Sequence, residues 1–213
     1  MNTLCGRLLA VGFLALVVPM FSYALGSTKA NAAPESLPFM TNSFAPMRHT
    51  FVAKQTVSSA ATDVTFSSLN GDTDTVYVLQ AFVKTPSGVT AALDLQLNGD
   101  TAGNYKSLTF EIGNPAGQET QTSLSVGRMV PSMIAGGRTI FTLVLYAKSG
   151  TNRIGFVDVG MTNSADGTFR RHCNTVTWTN TSSNITSLTI HEAIGSNRID
   201  TGSEFVLYKL PQS

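Results

Sequence analysis

Charge is scarce in this chain: Asp, Glu, Lys and Arg make up 13% of its 213 residues, about half the share of an ordinary soluble protein. Lys and Arg stand singly apart from Arg170 and Arg171, and the formal net charge is +1. No basic stripe can neutralise a row of phosphates, which excludes nucleic acid as the expected partner. Cysteine is nearly missing too. Cys5 sits in the amino-terminal leader, so the mature chain keeps Cys173 alone and can form no internal disulfide. Stability has to come from a core, in which Cys173 is expected as a small buried hydrophobe rather than an intermolecular partner.

Catalytic and metal signatures are lacking as well. The three histidines are His49, His172 and His191, and none belongs to a His-x-His, His-Glu-x-x-His or paired-cysteine pattern. In "RRHC", His172 and Cys173 are neighbours on a strand and point to opposite faces, so they cannot act as base and nucleophile. His191 and Glu192 fail for the same reason. There is no nucleophile elbow. The chain is expected not to be an enzyme and to carry no cofactor, with a secreted hydrolase the least favoured function.

The leader is the clearest feature present. "MNTLCGRLLAVGFLALVVPMFSYALG" combines Arg7, an apolar run from Leu8 to Met20, and small residues at Ser22 and Ala24, the layout of a signal peptide. The run is interrupted by Pro19 and falls short of the roughly 20 residues a membrane span needs. Residues 1–24 are thus expected to direct export, leaving a mature chain that starts near Leu25 at the cell surface or outside it. Residues 25–47 hold three prolines and no periodicity, as an extended arm does.

From residue 48 to 213 the pattern is strand after strand. Leu93, Leu95 and Leu97 alternate with Asp94 and Gln96, as on a half-buried strand. Turn signals such as "LNGD", "TPSG", "KSGTN" and "DTGS" separate ten or eleven such runs, and no helical stripe follows the leader. The expected fold is all-β, an antiparallel two-sheet β-sandwich of jelly-roll type. "RTIFTLVLYAK" is apolar on both faces: Ile140, Thr142, Val144 and Tyr146 on one, Phe141, Leu143 and Leu145 on the other. A two-sheet sandwich covers only one of them, so a second copy of the chain is the expected cover for the other.

Few residues suggest a ligand. In "DLQLNGDTAGNY", Asp94, Asn98, Asp100 and Asn104 supply oxygens at spacings that could gather around calcium. The run lacks an Asp-x-Asp-x-Asp pattern and a closing Glu, so a turn stabilised by Asn98 and Asp100 is favoured. Trp178 and Tyr105 could stack on a surface glycan, against a favoured core position for the indole.

Several segments in order resemble the β-sandwich modules of fibre, tail and capsid-decorating proteins in tailed-phage virions. They are "LQLNGDTAGNY", "QTSLSVGRM", "RTIFTLVLYA", "VTWTNTSSNITSLTI" and the closing "IDTGSEFVLYKL". The resemblance implies a non-enzymatic structural or host-recognition module that assembles into homo-oligomers, often trimers. The leader departs from it, since such proteins assemble in the cytoplasm. The expected function is a structural or adhesive module at a virion or cell surface, with a secreted lectin-like module as the alternative.

Overall fold

Alternation of inward and outward side chains sets the architecture. The computed structural model describes residues 49–112, 118–162 and 169–210, within a compact unit of Phe44–Ser213. The expected leader and the arm at 25–47 lie outside the described residues. Twelve strands follow one another: β1 (Thr50–Thr56), β2 (Asp63–Phe66), β3 (Val76–Lys84), β4 (Ala91–Leu97), β5 (Tyr105–Ile112), β6 (Gln118–Leu124), β7 (Gly127–Met133), β8 (Arg138–Tyr146), β9 (Arg153–Thr162), β10 (Phe169–Trp178), β11 (Leu188–Glu192) and β12 (Glu204–Lys209). Among the described residues one helical turn, α1 (Gly71–Asp74), interrupts them, capped by the Asn70 side chain.

All strand pairs are antiparallel, and they form two sheets. The larger has the order β1-β12-β3-β8-β9-β10-β5-β6 and the smaller β2-β11-β4-β7. Without the β5–β6 and β9–β10 hairpins, the chain passes from one sheet to the other at every step except from β4 to β7, which pair within the small sheet. That gives β1-β12-β3-β8 facing β2-β11-β4-β7, the eight-strand winding of a jelly roll. Both hairpins add to the large sheet beyond β8 and make it twice as wide as its partner.

The core lies between the sheets. Tyr77, Leu79 and Val83 of β3 and Phe141, Leu143 and Leu145 of β8 face Leu93, Leu95 and Leu97 of β4 and Leu188 and Ile190 of β11. Each of these side chains is at most 1% exposed, and burying one contributes about 1.5–3 kcal/mol before entropic costs. The segment "QTSLSVGRM" is not one strand. It ends β6 in the large sheet and starts β7 in the small one, and at the crossing a Cβ on Gly127 would collide with Val176 Cγ1. Only glycine lets the chain pass there.

Candidate interaction surface

The residues that suggested a ligand are spent on closing one end of the sandwich. Trp178 and Tyr105 are 1% and 0% exposed and stack with ring centroids 6.4 Å apart. The indole Nε1 donates to Asp100 Oδ2 at 2.6 Å, and the Leu97 amide donates to the Tyr105 hydroxyl at 2.7 Å. Arg153, also fully buried, lies over the indole at 5.1 Å and donates to the carbonyls of Asn180 and Ser183. Neither ring can stack on a glycan, because both project inward from the large sheet and are sealed by the loop after β10.

The four calcium candidates do not converge on a cation. Asn98 and Gly99 take positive φ of 55° and 66°, and the Asp100 amide bonds the Leu97 carbonyl at 2.9 Å, so "LNGD" turns the chain tightly after β4. The Asn98 Oδ1 does not cap that turn. It accepts from the amides of Thr186 and Ser187 at 2.8 and 3.1 Å and ties the turn to the segment before β11. Asp100 accepts from the Ala102 amide and from Asn104 Nδ2, both at 2.8 Å, as well as from the indole. Burial alone would push the Asp100 carboxyl up, but the bonds from Asn104, Ala102 and Trp178 together hold it below the usual range. Among the described residues no three His, Cys, Asp or Glu side chains are grouped to hold a metal.

Asp94 belongs elsewhere, on the outer face of the small sheet. Cross-strand register lines up Asp63, His191, Asp94 and Arg128 across β2, β11, β4 and β7. Asp63 Oδ1 lies 2.7 Å from His191 Nδ1, and Arg128 Nε donates to Asp94 Oδ1 at 2.5 Å. The Asp94 side chain is only 2% exposed. Burial pushes its carboxyl up, and the Arg128 charge opposes that. A shallow depression of about 530 Å³ covers this row, with Gln96, Thr101 and Ser125 on its walls.

The outer face of the large sheet is the opposite case. One row runs through Phe51, Tyr208, Val78 and Val144. It continues through Phe156, Thr175 and Leu108, so it crosses seven strands with a single polar side chain beyond the tyrosine hydroxyl. The next row pairs Val76, Tyr146 and Ile154. Among the described residues eleven large apolar side chains are exposed, and ten of them lie on this face, Ile194 being the exception. The two-faced β8 is laid out as its sequence implies: Phe141, Leu143 and Leu145 are at most 1% exposed, while Ile140, Val144 and Tyr146 are 63%, 40% and 43% exposed.

One residue of this face departs from its expected place. Cys173 is exposed and free, not buried, because β10 turns His172 inward and Cys173 outward. Arg170 and Arg171 lie on β10, between β9 and β5. Arg171 makes two bonds to Asp158 at 2.9 and 3.1 Å, and Arg170 pairs with Glu111 at 3.7 Å. No described helix is long and apolar enough to cross a membrane. Compared with protein-family models, curated proteins and solved structures, the chain matches none of them.

Proposed function

We propose that this chain is a non-enzymatic structural or adhesive module of a virion or cell surface and that it works as a homo-oligomer. The observation that carries the proposal is the outer face of the large sheet, where ten of the eleven exposed large apolar side chains gather. A monomer in water rarely leaves more than about 300–600 Å² of contiguous apolar surface uncovered, and larger patches mark sites of interaction. The polar groups of the molecule point the same way. Asp63, His191, Asp94, Arg128, Asp158 and Arg171 are engaged with one another in pairs, which suits a scaffold better than a reaction centre.

The lectin-like alternative loses both of its stacking rings and rests on the depression over Asp94, whose Gln96, Thr101 and Ser125 could bond sugar hydroxyls. Light scattering beside a glycan array separates the two. A stable oligomer with no glycan bound is the expected result, and a monomer that binds glycans overturns the structural proposal.

A further inference from the structure

We infer that two copies of this chain pair through the outer faces of their large sheets, about a two-fold axis running along the boundary of β9 and β10. This rests on the oligomeric reading above and names its partner and geometry. Area comes first. An aromatic or large aliphatic side chain offers on the order of 150–250 Å² when free. Ten of them, about half exposed, present roughly 900 Å², close to the 800 Å² or so that each partner gives to a stable interface.

Charge and relief specify a second copy. The ion pair on the central strands of the face, Arg171 with Asp158, is closed within one chain by two bonds, so an identical face meets no net charge there. Ile154 and Phe156 on β9 form one ridge, and Leu108 and Phe110 on β5 form another. Between them β10 presents the small outward side chains of Cys173, Thr175 and Thr177. A depression of about 440 Å³ spans β8, β9 and β10 at the side of this trough, walled by Val144, Phe156, Cys173 and Thr175. A ridge beside a trough on one surface is self-complementary under two-fold rotation, which seats each Phe156 in the partner's trough. A closed trimer needs two different matching patches per copy, and the described surface offers one, so the trimer implied by the resemblance gives way to a dimer.

The test uses the full chain carrying Cys5→Ser, which leaves Cys173 as its sole thiol. Light scattering across micromolar concentrations is combined with a bis-maleimide of about 10 Å reach, matched to the spacing of packed sheets. The expected result is a dimer that cross-links through Cys173, with self-association at least tenfold weaker in Phe156→Lys and unchanged in Ile194→Lys. Circular dichroism checks that both variants fold. A trimer that neither cross-links nor responds to Phe156→Lys overturns the pairing and leaves the oligomeric reading standing. A monomer overturns both, and if it sediments with phosphatidylcholine vesicles the face belongs to lipid. A ladder of cross-linked species also overturns the two-fold pairing.

Discussion

The two outward faces of the sandwich can be compared strand by strand. On the small sheet the positions between the core leucines of β4 hold Asp94 and Gln96, and Asp94 continues a polar row through Asp63, His191 and Arg128. On the large sheet the positions between Phe141, Leu143 and Leu145 of β8 hold Ile140, Thr142, Val144 and Tyr146. The inward residues are interchangeable in kind. The difference lies wholly in the outward set, which forms no part of the core: polar and paired side chains on one side, exposed apolar ones on the other.

The largest effect is expected from breaking the polar face where it is buried. Arg128→Ala leaves Asp94 without its cation at a side chain only 2% exposed, and losing one partner of a buried pair costs about 3–5 kcal/mol. The cost should vary with pH. A carboxyl whose folded pKa lies above its unfolded value stabilises at low pH and loses that contribution as pH rises through the folded pKa. Burial already raises Asp94 and Arg128 opposes it, so the variant raises it further. Urea denaturation should show its deficit growing from about pH 4 to pH 7. A deficit independent of pH would mean that Asp94 is not the residue left stranded.

Next comes the closed end of the sandwich, which both faces share. Asp100→Ala removes an ionised acceptor from the Trp178 indole, the Ala102 amide and Asn104. A hydrogen bond to a charged group is worth about 1.5–3 kcal/mol, so the loss should exceed that of an ordinary turn cap. The Asp100 carboxyl is held below its usual range, so its contribution is present above about pH 4 and fades as pH falls through the folded value. Thermal melts of wild type and variant should therefore converge in acid. Calcium should shift neither protein; a rise in wild type alone would restore the cation to this loop.

Much of this was legible in the sequence and some was not, for physical reasons. Period-two alternation gave the inward Leu93, Leu95 and Leu97, the two faces of β8, and the opposed His172 and Cys173. β1 and β2 carry a weak periodic signal, β1 because its pairing is irregular between Phe51 and Ala53 and β2 because it is four residues long. The burial of Trp178 depends on Asp100, 78 positions away, and Arg128 reaches Asp94 across 34. Local spacing carries no signal for such partners. Cys173 was expected inside because cysteine usually is, yet the parity of β10 puts it outside.

A smaller effect on the subunit is expected from the apolar face. Phe156 is 62% exposed, so Phe156→Lys should change subunit stability by less than about 0.5 kcal/mol, as at most surface sites, while weakening self-association. Denaturation at two protein concentrations separates these terms, because only an oligomer gains stability with concentration. Wild type should show that dependence and the variant should lose it. If the variant instead unfolds at a much lower midpoint at both concentrations, the face is part of the subunit's own packing.

The smallest effect is expected one strand along from the largest. Asp63 and His191 form the same kind of contact as Asp94 and Arg128, 2.7 Å apart in the same row, but their side chains are 52% and 36% exposed. Water already solvates both groups, and an exposed pair is worth about 0–1 kcal/mol and weakens with salt. Asp63→Asn should therefore shift the urea midpoint barely at low salt and not at all near 1 M, where the Debye length is about 3 Å. The row then holds two side-chain contacts of similar length and unequal energy, with burial the main difference between them. If Asp63→Asn cost as much as Arg128→Ala, the four charges would act as one coupled network, and the depression above them would be a better candidate for a ligand site than the apolar face leaves it.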